Sequence, residues 1–339
     1  GIYAEDADDG VIQNNLVGFV GFRGVGLRGV TGWTVENNEI RGVGQAGTIH
    51  DAIDVTTGSS SVTIEGNLIA GNRSPGIDLN GGSTNTVTVV NNTVTGNATA
   101  GSGEEFGIGV RRANNVVVDR NVVSGNTGAG VYVVRDNAGA TNALVTGNQI
   151  TGNTGAGVLV EETAGTATAT ITRNAISGNG GLGIDLGNDG VTPNDPSGTW
   201  VLTNHDPDGG ANELQNFPVI GNASSNGTTV TLNWSLEGSG SNFYRVEFFA
   251  SPAADASGHG EGQVYLGARD IQTTNGSYSI VGDVFNVAVT PGWVITATAT
   301  RTDALVPTQF FETSEFSAAV GTATVQGRVL EDVAADGAI

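Results

Sequence analysis

Apolar and polar residues alternate in short runs through the first half of the chain, and Gly or Asn interrupts each run. Val62-Thr63-Ile64 and Gly157-Val158-Leu159-Val160 are representative. Period-two runs of this length, bounded by turn residues, predict β-strands, and no segment carries a helical period. The runs recur within a longer phrase, seen in Ile171-Thr172-Arg173-Asn174-Ala175-Ile176-Ser177-Gly178-Asn179 and then Gly183-Ile184-Asp185-Leu186. Aligned on its first Asn, the phrase places Asn15, Asn38, Asn67, Asn92, Asn121, Asn148 and Asn174 at separations of 23, 29, 25, 29, 27 and 26 residues. A repeat of that size predicts a stacked architecture in which each unit buries its apolar side against its neighbours. One unit is then one coil of a parallel β-solenoid, with equivalent strands of successive coils about 4.8 Å apart.

The seven Asn residues keep one phase with an aliphatic residue two positions on: Val17, Ile40, Ile69, Val94, Val123, Ile150 and Ile176. They are therefore expected to form a buried file of amides bonded from coil to coil. Asn also accepts the left-handed backbone of tight corners, so the corners are expected at these Asn residues. The Gly-Ile-x-Leu half, counted from Gly1, Gly26, Ala52, Gly76, Gly107, Gly130, Gly157 and Gly183, predicts one outward surface column. Its members are Tyr3, Arg28, Asp54, Asp78, Gly109, Tyr132, Leu159 and Asp185.

After Leu186 the repeat gives way to Gly, Asn, Asp and Pro, and from Phe217 to longer alternating runs. Seven are read, at about 217–223, 228–238, 243–251, 263–272, 276–285, 293–302 and 312–320, which suits an antiparallel sandwich of immunoglobulin or fibronectin type. Trp234, Tyr244, Phe248, Phe249 and Trp293 are expected in its core. The domain reading is a parallel β-helix over 1–190, a capping linker over 191–216, a β-sandwich over 217–322, and over 323–339 a tail or the start of a further β module. Gly1-Ile2-Tyr3-Ala4 already reads as the second half of a coil, the expectation for a segment of a longer solenoid.

Composition narrows the chemistry. The chain has 339 residues, no Cys and a formal charge of −21, and its 13 basic residues are all Arg. Disulfides, thiol nucleophiles and Schiff-base lysines are excluded. Nucleic acid is disfavoured as a partner, since it needs basic patches. No apolar run approaches the ~20 residues of a membrane span.

The copies of Val-x-Ile-x-x-Asn-x-Ile-x-Gly-Asn resemble the repeat of right-handed parallel β-helix proteins, the pectate-lyase-like superfamily, over about 1–190. The stretch Gly183–Asp195, Leu214–Val219, Ser257-Gly258-His259-Gly260-Glu261-Gly262 and Thr313-Ser314-Glu315-Phe316-Ser317 resemble a junction of large secreted or surface-exposed bacterial β-helix proteins. The resemblance implies an all-β, extracellular or cell-surface protein and no particular reaction.

Two function classes stay open. The first is a non-catalytic stalk, filament or adhesin element, whose partners are other copies or modules of the same surface protein or a polysaccharide. The second is a lyase, epimerase or hydrolase acting on an acidic polysaccharide. Asp54 and Asp78 fall at equivalent positions of adjacent coils, with His50, Asp51, Glu104, Glu105, Arg111, Arg112, Tyr132 and Arg135 near them. A base and a cationic clamp are what uronate chemistry needs. The catalytic set of that reading is Asp54, Asp78, Arg111 and Tyr132, although the Asp-Pro-His-Asp pattern of alginate epimerases is missing. Calcium is the candidate cofactor, with Asp189, Asp195, Asp206 and Asp208 as hard oxygen donors. Asx-turns without an ion explain the same residues.

Overall fold

The computed structural model describes residues 1–45, 50–99, 105–135, 141–163, 167–195 and 204–324. Glu104 and residues 325–339 lie outside the described residues.

The solenoid has three faces. Eight strands stack in parallel on the first, from Ile2–Glu5 through Val25–Arg28, Ile53–Thr56, Ile77–Val90, Phe106–Asp119, Ala129–Arg135 and Val158–Glu162 to Ile184–Leu186. Ile77–Val90 and Phe106–Asp119 are long enough to turn onto the second face, where they join Ser60–Glu65, Thr141–Thr146 and Ala167–Thr172. The third face is a seven-stranded sheet from Leu16–Gly18 to Ala175–Ser177. Residues 17, 40, 69, 94, 123, 150 and 176 fill the interior, all of them buried.

Between the second and third faces the seven Asn residues stand in single file. The Asn121 amide donates to Asn148 Oδ1 at 3.0 Å, and its backbone N–H donates to the same oxygen at 2.8 Å. Nδ2 also reaches the Val89 and Asp119 carbonyls at 2.9 and 3.1 Å. The pattern repeats from Asn15 to Asn174, so that each side chain inside the file satisfies polar groups of its own coil and of both neighbours. The left-handed corner is not at these Asn residues. It falls one residue earlier, at Asn14, Asn37, Gly66, Asn91, Arg120, Gly147 and Arg173, with φ between +52° and +64°. That conformation turns the following amide inward, which is why an ordinary Arg can hold the corner while the rung must be Asn.

A second file, between the third and first faces, consists of Asn72, Asn97, Asn126, Asn153 and Asn179. Each amide donates to the next at 2.7–3.0 Å. Gly71, Gly96, Gly125, Gly152 and Gly178 precede them at φ of +60° to +67°. The offset of five residues from the last five rungs of the first file, Asn67 to Asn174, written as Gly-Asn, is the sequence signal of this ladder.

The C-terminal part packs two sheets against each other. One orders Ser277–Phe285, Val230–Glu237, Val219–Ser225 and Ala323–Thr324, the other Val264–Gln272, Phe243–Ser251, Val294–Thr302 and Phe310–Thr313. The pairing is antiparallel except for the short contact of Val219–Ser225 with Ala323–Thr324. Trp234, Tyr244 and Phe248 lie in the sandwich core, and Trp293 packs against it. Phe249 instead points the other way, into the solenoid core beside Phe316. The run expected at 312–320 is broken: Phe310–Thr313 pairs with one end of Val294–Thr302 and Val320–Gly321 with the other. Between them Ser314 and Ser317 still bond to Ala299 and Ala297 of that strand, while Glu315 and Phe316 turn to the solenoid.

The five-stranded sheet is covered on both sides. Its inner residues Val246, Phe248, Ile295, Ala297 and Ala299 face the sandwich core. Its outer residues lie on the last coil, where three glutamates accept the hydrogen bonds that a further coil would otherwise take. Glu247 accepts from Thr172 Oγ1 at 2.7 Å and the Arg173 N–H at 2.8 Å. Glu261 accepts from the Gly178 N–H at 2.5 Å, and from the Asn179 N–H and Nδ2 at 2.9 and 3.0 Å. Its carboxylate thus takes the place of the next Asn of the second ladder. Glu315 accepts from the Leu186 and Thr192 N–H groups at 2.9 and 3.0 Å. Asn212, from the linker, closes the fourth position by donating to the Ala169 and Thr313 carbonyls. A bare end coil is an exposed sheet edge, and this is how the chain covers it.

Candidate functional site

The first face carries most of the charged groups that combine into hollows. Its outward column reads Tyr3, Gly26, Asp54, Asp78, Gly109, Tyr132, Leu159 and Asp185. The second coil therefore starts at Gly24, and Arg28 stands opposite Glu5 and Thr56 instead of between Tyr3 and Asp54. Gly24-Val25-Gly26-Leu27 and Gly26-Leu27-Arg28-Gly29 overlap in sequence, and only the first leaves room for the Tyr3 ring. A Cβ at position 26 would lie 2.7 Å from Tyr3 Cδ2.

The column is not a solvated surface at its centre, as Asp54 and Asp78 are 2% and 1% exposed. Asp51, also buried, joins them, and one oxygen of each of the three carboxylates lies within 4.8 Å of the others. Arg111 grips Asp78 with two N–H donors, Nε to Oδ1 at 2.9 Å and Nη2 to Oδ2 at 2.5 Å. The Arg23 Nε–H donates to Asp54. Arg23 and Arg111 thus offset charge among these buried carboxylates, as ionised groups held away from water require. Arg111 also sits over Phe106, 5.5 Å from the ring centroid, and the Tyr132 hydroxyl donates to Glu161 Oε2 at 2.6 Å. Burial, and then the charge of Arg23, pull the His50 imidazole below its ordinary pKa.

Two hollows open along this face. One, of about 420 Å³, is lined by Tyr3, Arg23, Arg28, Asp54, Asn80 and Arg112. The other, of about 570 Å³, includes Glu105, Arg111, Tyr132, Glu161 and Asp185. Of the sequence-derived catalytic set, the structure brings Asp54, Asp78 and Arg111 together and places Tyr132 in the second hollow.

A second acidic group forms at the linker. Asp195, Asp206 and Asp208 have carboxylate oxygens within 4.8 Å of one another. Asp189 is not with them; its charge acts instead on Asp185 and Glu315. Burial, then repulsion from Asp208, pushes Asp206 up to about 7. Burial, then Asp195, pushes Asp208 up to about 6. Glu315 at the domain junction rises to about 7, again first through burial. The capping glutamates are the residues that sequence reasoning did not assign. Glu261 and Glu315 lie inside the two junction motifs, but nothing in a linear pattern tells which coil their carboxylates meet.

Residues 1–138 match the family model described as right handed beta helix region. The parallel coils described above are the architecture that this model names, and the solenoid is similar to right-handed β-helix repeat proteins. A second model, periplasmic copper-binding protein (NosD), matches residues 88–233, from the middle of the β-helix into the first strands of the sandwich. The β-helix is also similar to the A-module of a mannuronan C-5 epimerase of Azotobacter vinelandii, at 16% identity and a TM-score of 0.32, over 50% of this chain and 59% of that one. Tailspike protein 2 of Escherichia coli O157:H7 bacteriophage CAB120 is similar over 92% of this chain and 50% of its own, at 12% identity and a TM-score of 0.36. The chain thus spans about half of the length of these two proteins. No curated protein matches it significantly.

The donor sets decide which metals fit. Copper sites are built from imidazole, thiolate and thioether groups, whereas this chain has neither Cys nor Met, and His205 is the single His within 88–233. These residues do not fit copper. The three linker carboxylates are hard oxygen donors and fit a hard divalent cation.

Proposed function

We propose that this chain is a stiff, non-catalytic β-helix and β-sandwich segment of a protein that works outside the cytoplasm, as a stalk or adhesive element. The observation that supports it best is the state of Asp54 and Asp78: both are buried, and each accepts from a guanidinium, Asp78 through both of its oxygens. The name of the matched periplasmic family agrees with the location. The test is a turnover screen on pectin, alginate and other uronate polymers, with and without calcium, comparing the chain with its Asp78→Asn variant. The expected result is no turnover by either chain and a lower melting temperature for the variant. Turnover lost in Asp78→Asn would replace this reading with the enzymatic one.

The second reading is a groove that takes an acidic polysaccharide. It is favoured by one observation, the gathering of Arg23, Arg28 and Arg112 with Tyr3 around a single hollow in a chain of charge −21.

Calcium is proposed as a structural ligand of Asp195, Asp206 and Asp208. Asp206 and Asp208 hold protons more tightly folded than unfolded, where the carboxylate value is 3.8. Their contribution to stability is therefore complete below that value and is lost as pH rises through 6 and 7. In chelator, the melting temperature is expected to fall between pH 5 and pH 8. Calcium restores it at pH 8, has little effect at pH 5, and has none on Asp208→Asn. Calorimetry that shows equal calcium shifts in both chains would remove the ion from this site.

A further inference from the structure

A cavity of about 370 Å³ lies away from the first face, where the second face of the solenoid meets the sandwich. Its floor is outward-facing solenoid surface: Val117 and Leu144, paired in register on adjacent strands, with the amides of Asn115 and Asn142 beside them. Its wall is the pair Phe310 and Phe311 from the edge strand of the five-stranded sheet.

Both the floor and the wall are fixed before any ligand arrives. The Thr170 hydroxyl donates to the Phe311 carbonyl at 2.5 Å, and the Ile171 N–H donates to Thr313 Oγ1 at 2.9 Å, so the aromatic strand is bonded to the solenoid. Each ring is backed by a guanidinium, with Arg245 4.9 Å from the centroid of Phe310 and Arg301 4.6 Å from that of Phe311. Those guanidinium groups are themselves held, Arg245 by both oxygens of Asp270 at 2.8 Å and Arg301 by Glu312. On the floor, the Asn115 N–H donates to Asn142 Oδ1 at 2.5 Å, and Asn115 Nδ2 donates to Asn85 Oδ1 at 2.7 Å. Amides therefore stand one coil apart, about 4.8 Å, along the axis of the solenoid.

We propose that this junction cavity binds a neutral oligosaccharide, laid along the solenoid axis. Rigid aromatic surface, aliphatic floor and regularly spaced amides and hydroxyls suit a ligand with apolar ring faces and many hydroxyl groups. Glu312, the single ionisable residue of the lining, is already engaged by Arg301, which leaves no charge for an acidic sugar to answer. Preformed pockets at domain junctions, with a few placed polar groups, are where such ligands gain most from preorganisation. The proposal stands apart from the function of the first face, since the two sites share no residue.

The experiment is calorimetric titration of the whole chain with cellohexaose, maltohexaose and xylohexaose, and with hexagalacturonate as the charged probe. At least one neutral hexasaccharide is expected to bind at a single site. Phe311→Ala should weaken it about tenfold, the worth of one lost aromatic contact. Leu144→Glu, which leaves the sandwich untouched, should weaken it at least as much, whereas Gln149→Glu, exposed on the third face and away from the cavity, should leave it unchanged. Circular dichroism confirms the fold of each variant. The idea fails if none of the neutral probes binds, if binding survives both cavity substitutions, or if hexagalacturonate binds as tightly as they do.

Discussion

Asn121→Ala should lower the unfolding free energy by about 3–5 kcal/mol, because several buried polar groups lose their partners at once and each costs about 1–3 kcal/mol. The Asn92 N–H and Nδ2 lose their acceptor, the Val89 and Asp119 carbonyls lose a donor, and the Asn148 oxygen loses one of its two, keeping only the backbone N–H of residue 121. Asn121→Asp should be worse still, since it replaces the amide donors with a charge in a dry interior. The end of the file provides the internal control. Asn15 is part-exposed and its N–H and Nδ2 serve a single neighbour, so Asn15→Ala should cost under about 1 kcal/mol. Hydrogen exchange resolves the difference by coil: protection should collapse around residues 92–150 in the first variant and stay unchanged there in the second. Equal losses for both substitutions would mean that the file is not what ties the coils together.

The second large effect is expected at the seam between the two halves. Glu247→Ala removes a fully buried carboxylate and leaves the part-buried Thr172 Oγ1 and Arg173 N–H with no acceptor, a loss of about 2–3 kcal/mol. Adding Glu261→Ala frees the Gly178 and Asn179 donors as well, and the last coil should then open independently of the rest. The measurement is hydrogen exchange over Ala167–Thr172 and Ala175–Ser177, compared with Ser60–Glu65 in mid-solenoid. Glu261→Gln is the informative companion, because its amide oxygen still accepts and should recover most of the protection. If Gln behaves like Ala, the charge of Glu261 rather than its geometry holds the seam.

Burial raises the pKa of Glu247 and Glu315, so acid should not weaken the part of the seam that these two groups hold. The protonated forms become cheaper in the folded protein than in the unfolded one, so the contribution of both groups is complete below the ordinary 4.5 and declines as the pH rises above it, for Glu315 through about 7.

What the sequence makes legible is whatever repeats. The Asn file shows because one residue type returns in one phase with Val17, Ile40 and Ile69, and the stack makes every rung alike. The parallel coils and the following sandwich are readable for the same reason, through alternation and spacing. The position of the left-handed corner is not, because side-chain preference marks the residue that needs the amide, while the backbone places the turn one residue before it. Arg120 and Arg173 hold that turn against their intrinsic preference. The burial of Asp54 and Asp78 was equally hidden: an outward position in a strand is solvated only if nothing is laid over it, and here Arg23 and Arg111 are. The capping glutamates escape a linear reading altogether, since each meets its partner across 74 to 129 residues of chain.

Because Glu261 occupies the place of a rung, the seat of the sandwich depends on the last coil alone and is indifferent to how many coils lie beneath it. A whole extra turn spliced into mid-solenoid would lift the sandwich by about 4.8 Å and leave every contact of the seat intact. Reach is then a quantity that gene duplication can adjust in fixed steps, while the join it carries stays the same.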